Sequence, residues 1–93
     1  MKTYRIIEIT DHDGNRRKDG RYPQRVNSLV RVDEEFLAGG FPLMWAYITD
    51  GEGNPKQGFV HTSQIQDIVS NGIGQIGVKT LNSIYHLRVE DEQ

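Results

Sequence analysis

The sequence predicts a mainly β fold: a small antiparallel barrel of five to six strands, SH3-like or OB-like, with one short helical turn near residues 33–38. Three observations point there. Glycine, 10 of 93 residues, punctuates the whole chain. Short apolar runs alternate with turn-forming clusters, and no stretch of about a dozen residues carries an apolar repeat at helical period. The connections near the end are tight, as neighbouring antiparallel strands require. Closing such a small sheet on itself removes exposed strand edges.

The first strand is expected over residues 3–10, with Ile6, Ile7 and Ile9 as its apolar centre. Asp11-His12-Asp13-Gly14-Asn15 breaks it with turn chemistry, and a polar loop continues to Gly20. The second strand is expected over residues 24–32: Val26, Val30 and Val32 share one face, Arg25, Asn27 and Arg31 the other. Pro23 suits the start of a strand. Over residues 33–40, Asp33 can cap a helical turn, Glu34 and Glu35 sit at its positive end, and glycine can end it. Residues 41–49 form the most apolar stretch and read as a central strand covered on both faces. A loop spans 50–57, and Gly58-Phe59-Val60-His61 opens another strand. Thr62-Ser63-Gln64-Ile65 reads as a short turn before a strand over 66–69. Asn71-Gly72 is the strongest hairpin signal, since both positions accept the positive φ of a type I′ turn. It leads to a strand over 73–80, a tight Leu81-Asn82-Ser83 connection and a last strand over 84–89, with Tyr85, Leu87 and Val89 inward. No internal repeat and no low-complexity segment stands out.

The length fits one domain, residues 1–93. No apolar run approaches the roughly 18 residues of a membrane span, and the first residues alternate at once with no leader-like apolar stretch. With no cysteine, disulfides and thiolate metal sites are excluded. A cytoplasmic location is expected. The charge balance, 11 basic against 13 acidic residues, lacks the surplus of a dedicated duplex-DNA binder. Between Arg5 and Arg31, however, seven basic residues face four acidic ones, while the chain ends Glu90-Asp91-Glu92-Gln93.

Most chemistries fall away on spacing. Asp11, Asp13 and Asn15 alternate like the first ligands of a calcium loop, but Arg16 and Tyr22 stand where glycine and glutamate are needed. An Asx-rich turn is the better reading. His12, His61 and His86 lie on separate elements without zinc-ligand spacing. Ser63 and His61 lack a strand-to-helix nucleophile elbow. Gly72, Gly74 and Gly77 sit in a hairpin, not between a strand and a helix as a phosphate loop does. No catalytic residue, metal or cofactor is expected.

Two surfaces remain as candidates for binding a partner. Arg16, Arg17, Lys18, Arg21 and Tyr22 make a basic loop, either solvated or a mobile arm for phosphate or an acidic protein, with Tyr22 free to stack on a base. Phe36 and Phe41 belong to an aromatic set with Trp45, Tyr47, Tyr4 and Tyr85, for which core packing is the leading reading. Phe36 and Phe41 flank glycines in a connection, and exposed aromatics there would act as a hot spot.

The closing stretch Ile76-Gly77-Val78-Lys79-Thr80-Leu81-Asn82-Ser83-Ile84-Tyr85-His86-Leu87 resembles the ends of short bacterial and prophage proteins in which a Thr-x-Asn-Ser turn precedes a tyrosine-bearing strand. The resemblance covers the last third of the chain. It implies a phage or mobile-element accessory protein, a group that includes inhibitors of host nucleases. The expectation is a non-enzymatic protein that docks on a larger bacterial protein and modulates it. A single-stranded nucleic-acid binder or a phage structural subunit are the alternatives.

Overall fold

The computed structural model describes residues 1–90, and six antiparallel strands in it form one sheet closed into a ring. The strands are β1 Lys2–Thr10, β2 Leu29–Val32, β3 Pro42–Thr49, β4 Phe59–Gly72, β5 Gln75–Thr80 and β6 Ile84–Val89. Each pairs with the next, and β6 returns to β1 through Tyr4 opposite Val89 and Thr10 opposite Ile84. Side chains alternate in and out, so the inward set meets inside the ring. Ile6, Ile9, Val30, Leu43, Trp45, Val78, Tyr85 and Leu87 are buried there. Trp45 packs edge-on against Tyr85, with ring centres 5.6 Å apart.

The predicted helical turn is present as a 3-10 turn, Glu34–Phe36, with the Asp33 carboxylate accepting the Glu35 N–H at 3.1 Å. The Leu81-Asn82-Ser83 connection is also present. Thr80 Oγ1 accepts the Ser83 N–H and donates to its carbonyl, which closes the turn.

Four expectations need correction. The second strand does not begin at residue 24. Pro23 opens a single helical turn, α1 Tyr22–Arg25, and Asn27 then reverses the chain at φ 71°. Only Leu29–Val32 joins the sheet, so Val26 packs on the core from outside it. Residues 41–49 are not covered on both faces: Leu43 and Trp45 are buried while their neighbours are half-exposed. Thr62 to Ile65 is no turn but the bend of one fourteen-residue strand. Thr62 Oγ1 accepts the Leu43 N–H there, next to a register shift in the β3–β4 ladder. Finally, the hairpin turns at Ile73-Gly74, not at Asn71-Gly72. Asn71 stays in β4, where its amide lies over Gly77 and donates to His86 Nδ1 at 3.2 Å.

A repeat also emerges. Ile9-Thr10-Asp11-His12-Asp13-Gly14-Asn15-Arg16-Arg17 and Ile48-Thr49-Asp50-Gly51-Glu52-Gly53-Asn54-Pro55-Lys56 share one pattern, Ile-Thr-Asp-x-acid-Gly-Asn-x-base. The first follows β1 and the second follows β3. In each, the aspartate carboxylate accepts two loop N–H groups, from Asp13 and Asn15 or from Glu52 and Asn54, all at 2.9 Å. Each glycine has positive φ, 92° at Gly14 and 88° at Gly53. In both, the basic residue's backbone N–H returns to the isoleucine carbonyl, Arg17 to Ile9 and Lys56 to Ile48. The two loops are the same structure used twice.

Candidate binding surface

The basic loop is tied down. Arg17 forms a two-pronged pair with Asp19, through Nε at 3.0 Å and Nη2 at 2.8 Å. Its Nη1 donates to the Asn82 carbonyl at 2.7 Å and to Ser83 Oγ at 3.0 Å, which fastens the loop to the β5–β6 turn. The guanidinium also covers the Tyr22 ring, 4.2 Å from its centre. Paired this way, Arg17 is held more firmly protonated than usual, and the Asp19 carboxyl lies below its ordinary range. His12 adds a second tie: its Nε2–H donates to the Thr80 carbonyl at 2.8 Å.

The mobile-arm reading is therefore corrected for Arg17 and Tyr22. Tyr22 is half-buried in α1, with Arg17 on its ring and Tyr85 beside it at 6.4 Å, so stacking on a base would require displacing Arg17. Arg16 lies 3.7 Å from Glu8, while Lys18 and Arg21 are exposed. Beneath them, Arg25 Nη1 donates to the Tyr85 hydroxyl at 3.0 Å. Burial pushes that hydroxyl's pKa up to about 12, against the pull of Arg25.

Phe36 and Phe41 are not core residues. They remain 40% and 43% exposed and pack edge to face, with ring centres 5.5 Å apart. Tyr4, Trp45 and Tyr85 supply the buried aromatics instead. Phe36 borders a groove of about 260 Å³ between the 3-10 turn and the outer side of β3. Leu37, Met44, Ala46 and Phe59 line it, with Arg31 and Asp33 among its polar residues. Phe59 is 60% exposed and packs edge-on against His61 at 5.0 Å. Nothing in the sequence singled out Phe59 beyond its strand. Its place opposite Ala46, itself opposite Arg31, puts it on the outward face. That register could be assigned only once the bend in β4 was known.

On the far side of Phe59 lies a second recess of about 230 Å³, lined by Arg21, Arg25, Tyr47, Lys56 and Gln57. The Lys56 ammonium sits 4.2 Å from the centre of the Tyr47 ring, the counterpart of Arg17 on Tyr22. Ser63 and His61 face other tasks: Ser63 Oγ accepts the Asn82 N–H at 3.2 Å while His61 packs on Phe59. Among the described residues no three His, Asp or Glu side chains converge on a point where they could hold a metal ion. Among the described residues no helix is long and apolar enough to cross a membrane.

Comparison with known families, curated proteins and solved structures finds no match to this chain.

Proposed function

We propose that this chain is a non-enzymatic binding protein, encoded by a phage or mobile element, that docks on a larger bacterial protein and modulates it. A host-defence nuclease is the favoured class of target, by analogy with the proteins its closing stretch resembles. The observation that carries the docking reading is the aromatic rim of Phe36, Phe41 and Phe59, with Phe36 and Phe59 on the walls of an apolar groove. Large apolar side chains held open around a concave floor favour burial against a partner. The strictly sequential strand order supports an SH3-like ring over an OB-like one, whose Greek-key order sets non-consecutive strands side by side.

The test is a pull-down from bacterial lysate with tagged wild type, Phe36→Asp and Phe59→Asp, each checked for folding by circular dichroism. A protein retained by the wild type and lost with both variants, whose activity changes when the purified chain is added, is the expected result. Identical retention by all three overturns the reading.

A further inference from the structure

Arg21 just before α1, Arg25 within it and Lys56 in the second repeated loop come from distant parts of the sequence, yet line one recess. None of the three has a carboxylate within ion-pair distance among the described residues. Five other basic side chains are paired, Lys2 with Glu34, Arg5 and Arg88 with Glu90, Arg16 with Glu8 and Arg17 with Asp19, whereas Lys18, Arg31 and Lys79 share the lack of an ion pair among the described residues but line no common recess with the three. Aromatic rings hold two of the unpaired cations in place, Tyr22 and Trp45 beside Arg25 and Tyr47 beneath Lys56. Cations positioned by rings and free of direct ion pairs favour an anion from outside. Phe59 lines this recess and the apolar groove alike, so the two form one continuous surface with a charged and an apolar half.

We propose that the Arg21, Arg25 and Lys56 recess binds the carboxylates of an acidic polypeptide segment whose neighbouring apolar side chain enters the groove across Phe59. The proposal rests on the docking reading and adds the partner's chemistry to it. Charge placement favours an acidic peptide over a nucleic acid. Asp50 and Glu52 flank Lys56 on the loop side, and Asp33 lines the groove on the other. A strand carrying a phosphate at every nucleotide would meet these carboxylates as it left the recess. A short acidic cluster beside an apolar residue would not.

Fluorescence anisotropy with three labelled probes tests this. The first is an end-blocked Glu-Asp-Glu-Gly-Leu-Phe-Gly peptide, the second its amide counterpart Gln-Asn-Gln-Gly-Leu-Phe-Gly, the third an oligothymidylate of about a dozen nucleotides. The acidic peptide is expected to bind the wild type about tenfold more tightly than the amide peptide, the scale of one or two charge-assisted hydrogen bonds. The exposed-site variant Arg21→Gln/Lys56→Gln should abolish that difference, lowering the acidic peptide's affinity to that of the amide peptide. Phe59→Ser should weaken both peptides. Equal binding of the two peptides to the wild type overturns the acidic preference while leaving the groove intact. Failure of both peptides to bind overturns the inference together with the docking reading. Tighter binding of the oligothymidylate than of either peptide, lost at high salt, would assign the recess to nucleic acid instead.

Discussion

Arg17 shows how one side chain can decide whether a basic loop is an arm or a brace. Arginine carries five donors in a planar fork, and here that fork meets Asp19, the Asn82 carbonyl and Ser83 Oγ while its face covers Tyr22. Removing it leaves the half-buried Tyr22 ring uncovered and the Asn82 carbonyl without its charged donor. Arg17→Ala is expected to lower stability by about 2 kcal/mol. Arg21→Ala, at an exposed position, should change stability by under about 0.5 kcal/mol. Urea denaturation of the two variants checks this, and equal effects would mean that the loop is not braced. Residue types alone could not separate the two arginines. The sequence offered four similar cations, and only the approach of residues 82 and 83, some sixty-five positions away, distinguishes Arg17. Phe36 and Phe41 were ambiguous for the same reason: exposure depends on which residues of β3 and β4 lie beneath them.

The repeated loop is the element that most repays comparison, because its two copies differ where their surroundings differ. Position four of the pattern is His12 in one copy and Gly51 in the other. His12 reaches the β5–β6 turn, whereas a Cβ on Gly51 would lie 2.5 Å from the Val26 carbonyl oxygen. Backbone on both sides of that contact leaves nothing flexible to yield. Gly51→Ala should therefore destabilise by about 2–4 kcal/mol, and His12→Gly by about 1 kcal/mol for its lost hydrogen bond and added chain entropy. Thermal melts of the pair check the ordering, and a Gly51→Ala protein as stable as the wild type would refute the close approach.

The aspartates make the same element sensitive to acid. Loop N–H groups donated to Asp11 and Asp50 hold both carboxyls below their ordinary value of 3.8. A carboxyl that titrates lower in the folded chain stabilises it fully above the unfolded value, and that stabilisation is lost as the pH falls through the folded one. Melting temperature should thus drop as the pH falls below about 4, and the drop should be shallower in Asp11→Asn/Asp50→Asn. Parallel pH profiles for the two proteins would remove these carboxylates from the account. The turn chemistry of residues 11–15 was legible from composition, and so was the Asp33 cap. The repeat was hidden because its copies lie 39 positions apart, with His12 and Arg16 in one aligning with Gly51 and Pro55 in the other. The hairpin was misplaced by two residues since Asn-Gly suits a turn so well. Here Asn71 is held in β4 by His86, and Gly74 supplies the positive φ, 72°, at the turn.

At the scale of the whole molecule, the ring joins the first strand to the last, and that closure makes a distinct prediction. Glu90 N–H donates to the Thr3 carbonyl at 2.9 Å, and Glu90 also lies 3.5 Å from Arg5. The two ends of the described chain are therefore neighbours. In an open sheet of the same strands, β1 and β6 would stand at opposite edges, about five strand spacings of roughly 4.8 Å apart. The number of strands and their antiparallel sense could be read from short connections, whereas closure followed only from the general cost of exposed edges in so small a sheet, because no local signal reports the pairing of β1 with β6. A circular permutant makes that pairing local: residue 90 is joined to residue 1 by a two-residue glycine-serine linker in place of residues 91–93, and the chain is opened between the exposed Ile73 and Gly74. Such openings are tolerated where the ends adjoin and the cut lies at an exposed tip. The permutant should keep the far-ultraviolet spectrum of the parent and melt within about 10 °C of it, a loss on the order of 1–2 kcal/mol for a domain this size. With two linker residues the path from Glu90 through Met1 to Lys2 reaches at most about 14 Å, too short for an open sheet's edges. An unfolded permutant with the short linker, rescued by one three times as long, would show that the ends stand apart and that the ring is open.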